Sequence, residues 1–450
     1  MTISRRDLIS RGALGAGILA TGNLSALFTA PGAGAAPTGL GPLRPDPAGL
    51  LDLPEGFSYS IISTAGEALP GGGTVPDRFD GTGAFRGPRG GTRLVRNSEQ
   101  NRSATHPAVA ARALTYDPGT FGGTTTVSLD RSGHKVDEYV SLAGTYSNCA
   151  GGITPWGTWL SCEETEVKAG AGLARDHGYV FEVDPTSPAN NVDPTPLTAM
   201  GRFPHEAVAV DNSTRVAYLT EDARGPFGLL YRFTPKDRSR RYGSYRAGGL
   251  LEAMSCSEGH RHVPDLSVFS RPGERLRVQW RAVPDPSALT ASTRKQFGDD
   301  QVTRSQKFEG AWWATNGKAY IVCSFARIAD GAAADHDGQV WCYDPSRQQL
   351  TLEVRFAVNP DPSSDRPDGP DNITVTPRGD IVLAEDGEGV QHLYVVNKRG
   401  VSYPFARNAR DEGEFTGVVF SGNGQTMFAN LQQPGVTFAI SGPFAALHKP

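Results

Sequence analysis

The stretch NCAGGITPWGTWLSCEE, residues 148–164, places two thiols and two adjacent carboxylates around an apolar hairpin within seventeen residues. Carboxylates in number hold a hard cation such as calcium through oxygen. A thiolate among them suits a transition metal such as iron or zinc. The pattern recurs along the chain. Glu206 opens a segment that Glu221-Asp222 close fifteen residues later, and Asp371-Asn372 open one that Glu385-Asp386 close after fourteen. Glu309 opens another that Ser324 closes, Cys149 precedes the hairpin closed by Glu163-Glu164, and Glu99 closes the first.

An antiparallel hairpin returns to the end where it began, so opening and closing residues become neighbours. Strand residues alternate between faces, so only one member each of Glu163/Glu164, Glu221/Asp222 and Glu385/Asp386 can face inward. Carboxylates gathered in a ring raise one another's pKa and oppose folding unless cations lie between them. The constellation therefore predicts a polynuclear metal site of mixed hardness. A single strand-end Glu is ordinarily a solvated edge residue, and Cys149 alone would read as a small buried side chain; repetition at matched spacing carries the metal reading. His205, in FPHEAVAV, fits a packed strand residue as well as a ligand, and His260 and His262 fall outside the hairpins. Asp335-His336-Asp337-Gly338 lacks the remaining spacing of a calcium loop and reads as a turn.

The elements that position these groups are hairpins of one plan: an apolar strand, a short polar turn, a second apolar strand and a polar end. Copies lie at 83–99, 152–164, 206–222, 309–325, 371–386 and 416–432, most followed by a third strand ending in a turn, such as YVFEVDP or VWCYDP. Turns such as Asn316-Gly317 and Asn423-Gly424 carry hairpin chemistry. Six units of three or four strands, none able to bury both faces alone, point to an all-β, six-bladed β-propeller. A large β-sandwich is the alternative. The long gap after Leu230 reads as an insertion over about residues 235–305 that caps one face and includes a helix-like SALTASTRKQFG; a seventh blade is the other reading. Residues 355–370 read as a surface loop.

Composition agrees: 38% hydrophobic residues with 54 Gly and 33 Pro among 450 favour short strands and many turns. A net charge of −4 without a basic stripe counts against a nucleic-acid partner. Residues 1–36, with Arg5-Arg6 ahead of a mild Gly/Ala-rich run, read as a twin-arginine signal, leaving 37–450 as a single domain. The apolar run is too short and Gly-broken for a membrane anchor, the alternative reading. No C-x-x-C pair occurs among Cys149, Cys162, Cys256, Cys323 and Cys342, which excludes a zinc ribbon. Cys323 and Cys342 sit in strand-like runs and could pair; Cys149 is expected to be free. The sequence holds no nucleophile elbow, Walker loop, dinucleotide fingerprint or H-E-x-x-H. Metal-assisted chemistry or binding remain as roles.

The twin-arginine start, NCAGGITPWGTWLSCEE, FPHEAVAVD with YLTEDA, and DNITVTPRGDIVLAEDG together resemble the PhoX-type alkaline phosphatase family, from about Gly56 to Gln433. The resemblance implies a six-bladed propeller with a cluster of Fe3+ and Ca2+ at one channel end. It implies export through the twin-arginine machinery to the periplasm or beyond, with no membrane anchor on the mature chain. It implies hydrolysis of small phosphate monoesters by bound cations, without a Ser or Thr nucleophile. By motif position Cys149 is the iron-ligating thiolate, Glu206 and Glu309 fall in the iron and calcium shell, and Glu164, Glu221, Glu385 and Glu99 are further metal carboxylates. Glu309 and Lys307 are the catalytic candidates, Lys307 standing where such phosphatases place an Arg just before the glutamate of the fourth repeat, as a point charge and not a fork. A monomer is expected. The alternatives are another metal-dependent hydrolase on this scaffold, a lactonase or phosphotriesterase, and a non-catalytic secreted binding propeller.

Overall fold

A computed structural model describes residues 40–324 and 336–448, which belong to one compact unit. The expected signal at residues 1–36 lies outside the described residues, as do Phe325 and Asp335. The described residues are all-β with short 3-10 turns, and no helix among them is long and apolar enough to cross a membrane.

The hairpin plan of the sequence is realised as successive antiparallel runs. Phe79–Arg86, Thr92–Ser98, Gly122–Leu129 and Lys135–Thr145 form a four-stranded meander. Asn148–Ile153, Trp159–Glu163 and Val180–Val183 form a three-stranded one. The third run is His205–Val210, Ala217–Glu221, Leu230–Pro235 and Gly249–Glu258, and the fourth is Phe308–Trp313, Ala319–Ser324, Gly338–Asp344 and Gln349–Phe356. Pro370–Val375, Ile381–Glu385, His392–Val396 and Ser402–Asn408 make the fifth, extended outward by Leu51–Pro54 and Leu43–Arg44. Phe415–Phe420, Thr426–Leu431 and Val436–Ser441 make the sixth, to which Ser58–Thr64 from near the start of the domain adds the outer strand. Alternating apolar residues drive these strands, and each inter-sheet layer is a separate cluster of buried Val, Ile, Leu and aromatics, such as Trp341 with Phe308 and Ile321. Turn chemistry sets the registers: Asn316-Gly317 turns the fourth hairpin with Gly317 at φ +76°, which glycine adopts without steric cost.

The first strands of the runs lie side by side in chain order, and Phe415–Phe420 returns against Phe79–Arg86. The fold is thus propeller-like. Among the described residues the hydrogen-bonded sheets number five, not six, because Arg275–Ala282 pairs with Gly249–Glu258 on one side and Gln349–Phe356 on the other, fusing the third and fourth runs into a ten-stranded sheet. Gly249–Glu258 and Arg275–Ala282 come from the stretch expected to cap a face. Much of it is sheet, because its alternating apolar positions, Leu276 and Val278, have a buried layer to enter. The helix-like segment holds only the 3-10 turn Thr293–Gln296.

All five cysteines are free and buried. Cys323 and Cys342 do not pair: their strands are neighbours, but Cys323 stands opposite Gln339 and Cys342 opposite Tyr320. Three register steps and opposite sheet faces separate them, well beyond disulfide reach.

Candidate metal centre

The six first strands share one irregularity at their start. Between Phe79 and Thr82, Asn148 and Gly151, His205 and Val208, Phe308 and Ala311, Pro370 and Ile373, and Thr416 and Val419, the partner strand advances one residue fewer. A bulge of this kind bends the strand and re-aims a side chain. The residue entering it is Asp80, Cys149, Glu206, Glu309, Asp371 and Gly417 in turn. Five of the six carry a ligand-type side chain. At Gly417 a Cβ would meet the backbone of Asp80 and the side chains of Thr82 and Asn430 at 2.5 Å, so the sixth position has no room for one.

The closing strands add a second set. Glu163, Glu221 and Glu385 stand opposite Asn148, His205 and Pro370, and strand alternation turns the following residues, Glu164, Asp222 and Asp386, the other way. Glu163 is buried and accepts from the amides of Tyr146 (2.9 Å), Gly178 (2.8 Å) and Tyr179 (3.0 Å), with His177 Nδ1 at 2.6 Å. Glu221 accepts from Arg294 Nη1 (3.0 Å) and the Tyr231 hydroxyl (2.7 Å). Glu385 accepts from the amides of Asp368 (2.6 Å) and His392 (2.9 Å), with His392 Nδ1 at 3.1 Å. Burial pushes Glu221 up to about 7 against the pull of Arg294, and Glu385 likewise against that of His392.

Three groups of ligand atoms therefore come together, each within 4.8 Å: Cys149, Glu164 and Glu206; Glu206, Glu309 and Asp371; Asp371, Asp386 and Glu414. They form a chain, with Glu206 and Asp371 as the shared links. The Cys149 thiol donates to Glu206 Oε1 at 3.1 Å. Lys307 Nζ lies 2.7 Å from Glu309 Oε1 and 4.0 Å from Asp386 Oδ2.

The electrostatics are those of a buried, strongly anionic site. Burial, then Glu309, Asp371, Glu164 and Asp80, holds the Glu206 carboxyl well above the usual range. Burial with Asp222, Glu99 and Glu309 does the same to Glu164. Burial with Asp80 and Glu206 raises the Cys149 thiol. Burial works to lower the Lys307 ammonium, but Glu309, Asp222, Asp371 and Asp386 outweigh it and hold it well above its ordinary value. Asp80 Oδ1 and Glu206 Oε2 are buried without a hydrogen-bond partner. Orphaned carboxylate oxygens facing one another are costly unless a cation receives them, so the donor set fits metal. The group with Cys149 is the soft end, and the two all-carboxylate groups are the hard end.

Of the sequence-predicted ligands, Cys149, Glu164, Glu206 and Glu309 meet in the cluster, with Lys307 against it. Glu221 and Glu385 do not join it. The inward member of each pair is Asp222 or Asp386, because Arg294 with Tyr231, and His392, satisfy the other carboxylate from behind. Glu99 lies at the margin, outside the three groups, accepting from Gln432 Nε2 at 3.0 Å. His205 is packed and not a ligand: its ring stacks on Phe203 at 3.6 Å, and burial lowers it to about 3. His262 reaches the carbonyls of Asp299 and Val302. Sequence reading placed Asp371 and Asp386 at the hairpin ends without naming them as ligands, and missed Asp80 and Glu414. Aligning FDGTGA with NCAGGI and HEAVAV would have found Asp80; Glu414 lies before its strand and has no counterpart in the other copies. Beyond the cluster the channel narrows to a cavity of about 30 Å³ lined by small residues such as Gly81, Ala150, Gly310 and Gly417, room for one water.

Comparison with known proteins adds a family. A family model described as alkaline phosphatase PhoX matches residues 38–137 and 131–435. No curated protein sequence matches. Among solved structures, a gluconolactonase from Xanthomonas campestris aligns with 10% identity over 86% of this chain and 97% of its own, TM-score 0.40. The holo PQQ domain of pyranose dehydrogenase from Coprinopsis cinerea aligns with 11% identity over 88% and 98%, TM-score 0.45. Likeness at this level carries nothing about activity.

Proposed function

The chain belongs to the PhoX alkaline phosphatase family, and on that premise we propose that it hydrolyses phosphate monoesters at this cluster, with iron and calcium as its cations, on a six-bladed propeller exported from the cytoplasm. The observation that carries the reading is the run of three overlapping ligand groups with a thiol at one end only. Cys149, Glu164 and Glu206 would hold the softer cation, iron. Glu206, Glu309 and Asp371, and then Asp371, Asp386 and Glu414, would hold calcium. Bound cations would polarise a phosphoryl oxygen and offset charge on the leaving group. Lys307 contributes a fixed ammonium beside Glu309, placed to meet a phosphoryl oxygen. The side chains of Arg294, Tyr231, His177 and His392 hold the outward carboxylates, which leaves the inward ones free for ligation. The narrow channel floor, with room for one water, would keep substrate on one side. The six-blade reading is supported by the ring order of the first strands, with Arg275–Ala282 as a bridge between two blades. Export by the twin-arginine route to the periplasm or beyond rests on Arg5-Arg6; replacing both by Lys would retain the protein in the cytoplasm.

The test is elemental analysis of the purified folded protein beside turnover of an aryl phosphate, an aryl phosphodiester and a lactone. Iron and calcium at fixed stoichiometry with turnover of the aryl phosphate is the expected result, and Cys149→Ala should lower bound iron with the fold intact. Turnover of the lactone or diester alone replaces the phosphatase reading by another metal-dependent hydrolase. Absence of metal leaves a binding propeller.

A further inference from the structure

In four of the six runs the residue just before the bulged strand has a left-handed backbone: Arg78 (φ +52°), Ser147 (+46°), Lys307 (+43°) and Gly369 (+44°). The carbonyl of each accepts from an amide at the end of the closing strand or one residue past it: Glu99 (2.9 Å), Glu164 (2.9 Å), Ser324 (3.0 Å) and Asp386 (2.9 Å). One backbone device therefore sets the rim of the cluster in each of these runs. Glycine fills such a position at no steric cost, and long side chains rarely occupy it. Two of the four nonetheless carry a long basic side chain. In the ring order of the first strands, the runs of Arg78 and Lys307 have two runs between them on either side. They stand across the channel mouth from one another.

Their surroundings divide the cluster. Lys307 faces Glu309, Asp222, Asp371 and Asp386. Arg78 faces Glu99, where its charge opposes the rise that burial imposes on that carboxyl. Glu99 in turn acts on Asp80, Cys149 and Glu164. Arg78 is half-buried, and its guanidinium makes no hydrogen bond or ion pair at contact distance among the described residues. A planar fork of five donors at the rim of a cation site matches the oxygens of a tetrahedral oxyanion, which two point contacts on opposite sides would hold in one orientation.

We propose that Arg78 is a positioning residue that, opposite Lys307, forms a two-armed seat for the phosphoryl group of substrate and product at the mouth of the cluster. The proposal rests on the phosphomonoesterase reading for its substrate, while its binding arm is tested on its own. The probe is inorganic phosphate, titrated by calorimetry into the metal-loaded protein, together with steady-state turnover of an aryl phosphate. Arg78→Gln removes the charge. Arg78→Gly removes it while suiting the left-handed backbone, so backbone strain does not account for its phenotype, and a thermal melt checks the fold. Arg78→Lys keeps the charge without the fork.

Loss of a charge-assisted contact should weaken phosphate binding about ten- to a hundredfold in Arg78→Gln and Arg78→Gly and raise KM by a similar factor, with bound metal unchanged. Arg78→Lys should fall between these variants and the wild type. Phosphate affinity equal to wild type in Arg78→Gly overturns the seat, as does an affinity loss matched by metal loss. A wild type that binds phosphate through Arg78 but hydrolyses no ester supports the seat and removes the phosphatase reading. A wild type that turns over the ester with Arg78 variants unaltered does the reverse.

Discussion

Glu163 and Glu164 are adjacent carboxylates with opposite duties, and exchanging either for its amide should separate them. Glu163 accepts three backbone amides and faces His177, whose other nitrogen lies 3.4 Å from Asp117. In Glu163→Gln one acceptor oxygen becomes an NH2 that faces existing donors whichever way the amide turns, and His177 loses the nearer of its two counter-charges. Breaking a buried ion pair on one side costs about 3–5 kcal/mol. Unfolding entropy of roughly 0.8 kcal/mol/K for a domain of about 400 residues makes this a fall of about 4–6 °C in Tm. Metal content should not change, because Glu163 faces away from the cluster. Glu164→Gln should behave in the opposite way. It removes a buried carboxylate that its neighbours repel, so the chelated protein should gain thermal stability while bound metal falls. The assay is a thermal melt of each variant with and without chelator, beside elemental analysis. Loss of metal in Glu163→Gln with retention in Glu164→Gln would refute the assignment of inward and outward faces, and with it the site.

A second structural network closes the ring between the sixth and first runs: Arg96 donates to Glu138 (2.8 Å), Thr125 and Thr437, and Ser63 donates to Glu138. Arg96→Ala removes one of two cations on Glu138, Lys135 Nζ at 3.0 Å being the other, and should cost about 1–3 kcal/mol in denaturant melts; recovery in Arg96→Met with Glu138→Leu would identify the weakened pairing as the cause. Burial pulls the His177 pKa down, but Glu163 and Asp117 outweigh it and raise it above 6.5. The imidazolium's stabilisation is therefore complete below the unfolded pKa and lost as pH rises through the folded one, so melts from pH 6 to 9 should show a decline that His177→Gln flattens; an equal decline in the variant would contradict this. Asp80 is buried beside Glu99 and Asp371, its pKa raised well above 3.8, so ionising it opposes folding at neutral pH without metal. Asp80→Asn should raise the Tm of the chelated protein, and a fall would show that its charge is compensated.

The sequence by itself determined the hairpins, their apolar alternation and the gathering of acidic residues at one end, because these depend on neighbours within some twenty residues. It also determined that one member of each adjacent acidic pair faces inward, since strand geometry has a period of two. Which member does so was settled only by the tertiary structure. The choice rests on where a satisfying partner arrives: His177 from the loop before the third strand for Glu163, Arg294 from seventy-three residues away for Glu221, and His392 from the next strand for Glu385. In the second case nothing near Glu221 in the chain announces the partner. The bulge that aims Asp80, Cys149, Glu206, Glu309 and Asp371 into one space was likewise invisible singly and common to all six runs once paired. The strand Arg275–Ala282 joins two runs into one sheet because, besides its neighbour Gly249–Glu258, it meets the edge of Gln349–Phe356 far along the chain. Local patterning fixes what a segment is, whereas long-range pairing decides which of its faces meets a charge and which meets a partner that cancels it.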